Sequence, residues 1–131
     1  MQVSRCLLAN DDLFLLEAFK ETLLKHFQFV DTVTNGQSAV ERYLSKPQNY
    51  YSVIILDISM PIMNGIEACE IILKNLNCDE AKLNNLRIES FSVRRTRPKP
   101  FIYALTSEVE ERIMVRIKAA GFKQIYNFLN Q

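Results

Sequence analysis

The chain has little of what most enzyme chemistry uses. It has one histidine, His26, and three cysteines, Cys6, Cys69 and Cys78, with no Cys-x-x-Cys pair. That spacing favours packing residues of a reducing compartment over a disulfide or metal role. No metal-ligand spacing surrounds His26, which reads as a surface or boundary residue of a helix. No apolar run approaches the ~20 residues that cross a bilayer. The N-terminal MQVSRCLLANDD meets acidic residues before an export-length apolar stretch can form, so no signal peptide is expected. A formal charge of +1 gives no bulk attraction for nucleic acid or membrane. The expected location is cytoplasmic, alone or as a cytosolic module of something larger.

What is present is an ordinary globular composition. The 131 residues are 48% hydrophobic and 24% charged, enough for one domain that buries about two thirds of its unfolded surface. Short apolar runs alternate with longer segments of helical period. RCLLA (5–9), QFVDTV (28–33), YYSVIILD (50–57), FIYALT (101–106) and KQIYNFL (123–129) read as strands. LFLLEAFKETLLKHF (13–27), QSAVERYL (37–44), IEACEIILKNL (66–76) and SEVEERIMVRIKAAG (107–121) read as helices. Asn35-Gly36 marks a turn, and Ser107 with Glu110 forms a capping-box pattern. This alternation predicts an α/β domain with a doubly wound, five-stranded parallel sheet. Such a sheet usually ends on a helix; here the chain reaches Gln131 without one and reads as lacking its last helix.

Residues 77–100 break the rhythm. They are long for a helix-to-strand connection, where about two to six residues are usual. Six basic residues face three acidic ones, and Arg94, Arg95, Arg97 and Lys99 cluster. The stretch reads as a solvated insert loop within a single domain, 1–131. A docking or nuclear-targeting patch is the sharper alternative.

Three strand ends carry chemistry. The first ends in Asn10-Asp11-Asp12, the third in Asp57, the fourth in Thr106. Parallel strands share one C-terminal edge, where α/β sheets bind ligands. If strands one, three and four are neighbours, carboxylates and a hydroxyl converge there. Packed carboxylates repel unless a cation joins them, and an all-oxygen cluster suits Mg²⁺. A carboxylate can then act as a nucleophile toward a phosphoryl group. The bland alternative has each acid capping the helix after it. Agreement of three strand ends favours a site.

The stretch D-x-x-M-P-x-M-[DN]-G (Asp57, Met60, Pro61, Met63, Asn64, Gly65) resembles the phospho-acceptor segment of two-component response-regulator receiver domains. NDDLFLLEAFKETL resembles that family's first loop and helix, and FIYALTSE its fourth strand with the switch threonine. The resemblance implies a flavodoxin-like receiver fold and makes Asp57 the phosphoacceptor. Asp11, Asp57 and the Ser59 backbone carbonyl would then hold Mg²⁺. Asn10 falls where an acid is usual; a shifted register makes Asp11-Asp12 the acidic pair, so Asp12 or Asn10 completes the set behind the metal. Thr106 is the switch residue, and Pro61 and Gly65 shape the loop. The aromatic switch position falls on Ile125, or on Tyr126 if one residue is inserted.

One family feature is missing. The fifth-strand lysine that reaches the phosphoryl group falls on Phe128, followed by Leu129 where a proline is usual, and Lys123 comes too early. Losing such a preorganised donor costs roughly 10²–10³ in rate in comparable sites. The resemblance implies a signalling domain, phosphorylated by a histidine kinase or histidine phosphotransfer protein, which turns over no external substrate. It would stand alone or within a hybrid kinase, with no nucleic-acid or membrane contact of its own. The alternative is a pseudo-receiver that binds proteins without phosphorylation. A phosphohydrolase would want a second carboxylate where Ser59 stands.

Overall fold

The computed structural model describes residues 3–47, 49–74, 100–106 and 111–127. Strands β1 (Arg5–Ala9), β2 (Phe29–Val33), β3 (Val53–Asp57), β4 (Phe101–Thr106) and β5 (Gln124–Asn127) form one parallel sheet, in the order β2-β1-β3-β4-β5. Helices α1 (Leu13–Leu23) and α2 (Gly36–Leu44) follow β1 and β2. Helix α3 covers residues 65–74 after β3. Helix α4 (Glu111–Ala120) leads into β5. This is the doubly wound, flavodoxin-like order, with its switch point between β1 and β3.

Strand alternation divides the core in two. Leu7, Ala9, Ile54, Leu56, Ile102 and Ala104 pack in one cluster with Ala39 and Val40 of α2, Ile66 and Ile72 of α3, and Ile117 of α4. Cys6, Leu8 and Val30 pack in another with Leu16, Phe19 and Leu23 of α1. Helices on both faces explain why β3 is apolar up to its last residue, Asp57. Cys6 and Cys69 are free and buried, and burial pushes both thiols up to about 12. That fits the packing role read from the sequence. Toward β5 the α1 face is open among the described residues. There Ile55, Tyr103, Leu105 and Tyr126 join Phe19 and Leu23 around an apolar groove of about 340 Å³.

Element boundaries differ from the sequence pattern for local reasons. The first helix stops at Leu23 and not Phe27, because the chain tightens: Lys25 N–H donates to Thr22 and His26 N–H to Leu23. Phe27 still packs beneath α1. Asn35-Gly36 opens α2 instead of forming a separate turn, since Asn35 Oδ1 accepts the Ser38 N–H at 2.7 Å. The third strand starts at Val53, after a turn in which Asn49 has φ of 63° and Tyr50 N–H donates to Pro47. Residues 77–99, the Ser107–Glu110 capping pattern, Phe128 and Leu129 lie outside the described residues. Among the described residues no helix is long and apolar enough to cross a membrane.

Candidate functional site

Strands β1, β3 and β4 are neighbours, so their C-terminal ends meet. Asp57 closes β3 in register with Leu105, which sets Thr106 one residue further along β4. Ala9 pairs with Leu56, so Asn10 and Asp57, the next residues along, stand side by side. Among the described residues the buried polar side chains are Asn10, Asp57 and Thr106, exposed by 1%, 8% and 1%. All three lie on this one edge. Asp11 is exposed in the loop between β1 and α1.

Burial pushes the Asp57 carboxyl up to about 6, and the nearby charges of Asp11 and, more weakly, Asp12 add to the rise. Main-chain N–H groups of Ser59 and Ile58 pull it back down. Ser59 N–H donates to Asp57 Oδ1 at 3.4 Å. Asp12 is otherwise engaged. It caps α1, its Oδ1 accepting the N–H groups of Phe14 at 3.0 Å and Leu15 at 3.2 Å. The helix-capping alternative therefore holds for Asp12, while Asp57 has no such duty. Asn10 Oδ1 accepts the Asp12 N–H at 2.9 Å, and Asn10 Nδ2 is buried with no hydrogen-bond partner.

The loop after Asp57 is held by close backbone approach. Gly65 N–H donates to Ile58 at 3.1 Å, and a Cβ on Gly65 would lie 2.4 Å from the Asp57 carbonyl oxygen. Gly36 N–H donates to Met63 at 2.9 Å, where a Cβ would lie 2.4 Å from the same carbonyl. Asn64 and Glu67 form a reciprocal capping box: Asn64 Oδ1 accepts the Glu67 N–H, and Glu67 Oε1 accepts the Asn64 N–H. Pro61 precedes Ile62, an exposed β-branched residue at φ of 69°, and Met63 N–H donates to Pro61 at 2.7 Å across it. A β-branched side chain there is a true outlier.

Asp11, Asp57 and the loop's Ser59 carbonyl make an all-oxygen donor set. The mutual repulsion of its two carboxylates is what a small divalent cation relieves. Among the described residues no three acidic, histidine or cysteine side chains gather to hold an ion. Two carboxylates with one carbonyl oxygen are donors of the kind Mg²⁺ takes, since it keeps several waters and needs one or two carboxylates.

On β5, alternation separates the two candidate switch residues. Ile125 packs with the cluster that contains Ile113, Met114 and Ile117 of α4. Tyr126 lines the groove on the opposite face, its ring 6.0 Å from that of Tyr103 and its hydroxyl donating to Gln124 at 2.6 Å. The residue facing α4 is thus Ile125. Sequence reading missed the Asn10 orphan donor and the Ile62 backbone; Asx-turn spacing from Asn10 to Asp12 was the one signal available.

A family model described as response regulator receiver domain matches residues 6–82. A peroxide stress-activated histidine kinase, mak1, from Schizosaccharomyces pombe is 25% identical over 88% of this chain and 6% of its own length. The chemotaxis protein CheY of Thermotoga maritima is 36% identical over 53% of this chain and 57% of its own. The chain spans between 6% and 57% of the length of the first four curated relatives that it matches. A solved CheX-CheY-BeF3-Mg²⁺ complex from Borrelia burgdorferi superposes with a TM-score of 0.69 at 18% identity, covering 94% of this chain and 76% of that one. At that identity the likeness is one of fold.

Proposed function

This chain belongs to the response regulator receiver domain family, and from that premise we propose that it takes a phosphoryl group from a phosphohistidine donor onto Asp57. A carboxylate oxygen of Asp57 attacks phosphorus and the P–N bond to the donor imidazole breaks. The imidazole leaves with the bonding electrons and takes up a proton, and Asp57 becomes an acyl phosphate. The observation that carries this reading is the gathering of the buried polar residues Asn10, Asp57 and Thr106 at one strand edge. A carboxyl at about 6 is ionised at neutral pH and more basic than an ordinary aspartate, which suits a nucleophile.

Asp11, Asp57 and the Ser59 carbonyl would hold Mg²⁺, which when bound offsets charge on the phosphoryl oxygens. Thr106 supplies a hydroxyl donor to one of those oxygens. Pro61 and Gly65 keep the loop over the acid. With Phe128 at the lysine position, no fixed cation comes from the end of β5. The response passes through Thr106 and Ile125 to α4. Likeness to a small part of a histidine kinase supports a place in a hybrid kinase, with a free relay as the alternative; the donor would be a histidine kinase or histidine phosphotransfer protein, met in the cytoplasm.

The test is intact-mass spectrometry after incubation with acetyl phosphate and Mg²⁺, with Asp57→Asn alongside. One phosphoryl adduct, lost in Asp57→Asn and without metal, is the expected result. A folded chain that gains no adduct from acetyl phosphate or a phosphorylated phosphotransfer protein is instead a pseudo-receiver, binding partners without phosphorylation.

A further inference from the structure

Among the described residues one buried side-chain polar atom has no partner, Asn10 Nδ2. A buried amide donor left unpaired costs about 1–3 kcal/mol and calls for an explanation. Packing of the β1–α1 turn explains only half of the side chain. Oδ1 accepts the Asp12 N–H at 2.9 Å, an Asx turn that any short acceptor side chain would also form. That bond fixes which end of the amide is oxygen and which is nitrogen. The nitrogen end is left over.

Its position gives it a use. Asn10 follows Ala9 and Asp57 follows Leu56, and those two are paired in register. Along their strands Asn10 falls in step with Cys6 and Leu8, and Asp57 with Val53 and Ile55, residues that share one cluster. The two side chains thus leave neighbouring strands on the same side. Asp57 itself does not use the donor, its nearby donors being the main-chain N–H groups of Ser59 and Ile58. An N–H donor also does not suit a metal-bound water, which offers protons of its own. It suits an anionic oxygen.

Resting on the phosphoacceptor reading above, we propose that Asn10 Nδ2 donates a hydrogen bond to an oxygen of the phosphoryl group on Asp57, filling part of the place that the absent β5 lysine leaves. The donor is neutral, so it adds no charge that would drive the cation away. An acid at position 10 would put a third carboxylate beside Asp57 and Asp11. Asparagine leaves two, which a divalent cation balances before the anion arrives.

The experiment uses beryllofluoride, a phosphoryl mimic, titrated into the full chain at saturating Mg²⁺ and followed by ¹⁹F NMR. Asn10→Ser keeps a short acceptor for the Asp12 N–H and removes the amide donor; Asn10→Ala removes both. We expect both variants to bind beryllofluoride about tenfold more weakly, the worth of one charge-assisted hydrogen bond. Their Mg²⁺ affinity, read from amide shifts of Asp57 and Ser59, should fall by clearly less than their beryllofluoride affinity does. A purely structural role would lower both affinities together and lower them less in Asn10→Ser. That pattern, or Asn10→Ser binding beryllofluoride like the parent, overturns the proposal while the phosphoacceptor reading stands. If the parent chain binds Mg²⁺ but no beryllofluoride, the phosphoacceptor reading fails and the Asn10 role fails with it.

Discussion

Asp57 carries a cost that its burial imposes. Its carboxyl stands at about 6, against 3.8 for a free aspartate. The folded state therefore holds the proton more tightly than the unfolded chain, and folding is favoured while Asp57 is protonated. That contribution is whole below pH ~4 and is lost as pH rises through ~6. Replacing Asp57 by Asn removes the burden at neutral pH, so Asp57→Asn should be more stable than the parent by about 1–3 kcal/mol at pH 7. The gain should shrink toward zero by pH ~4. Urea melts at the two pH values check this; an equal effect at both would mean that burial of charge is not the cause. Asp57, Asp11 and Thr106 were legible in the sequence because an acid or hydroxyl at the end of an apolar strand is conspicuous. Asn10 was legible only as a departure, since which end of an amide is satisfied depends on a turn that spacing alone does not orient.

At the scale of elements, the β3–α3 loop combines tight anchoring with strain. Two glycines permit the anchoring, and the expected effect of Gly65→Ala is a fall in stability of about 2–4 kcal/mol, because a Cβ would sit 2.4 Å from the Asp57 carbonyl oxygen. Strain appears at Ile62, exposed by 76% and held at φ of 69°. It has little packing to lose there. Ile62→Asn, a residue that tolerates positive φ, should raise the urea midpoint by the equivalent of about 1 kcal/mol. A midpoint at or below the parent's would show that Ile62 contributes contacts that outweigh its backbone. The helix and strand order was readable because periods of 3.6 and 2 are strong signals over whole elements. Ends were not, since the end of α1 depends on a tightened turn and the start of α2 on the orientation of Asn35. Ile125 and Tyr126 take opposite faces of β5, which the sequence could not assign because a one-residue shift reverses the face.

For the whole molecule, the two faces of the sheet are unequally dressed. Three helices pack against one, while among the described residues only α1 packs against the other, beside the apolar groove of about 340 Å³ under Tyr103, Leu105 and Tyr126. Open apolar area of this kind binds reporter dyes. The 131-residue chain should enhance the emission of an anilinonaphthalene sulfonate dye in its native state while melting cooperatively. Native emission no higher than that of the urea-unfolded chain would show the groove to be covered in solution.

The strand order has a consequence for how the site comes into being. Its parts lie at residues 10–11, 57 and 106, brought together by β1-β3 and β3-β4 pairing. On a ribosome, Asp57 emerges well before Thr106, and until β4 docks it is a carboxylate still open to water with an ordinary affinity for protons. Pairings this distant in sequence form late, because loop closure precedes the contacts that reward it. The proposed capacity for phosphorylation would therefore mature with the final strands, and a nascent chain that has already exposed Asp57 has not yet built the surroundings that raise its affinity for protons.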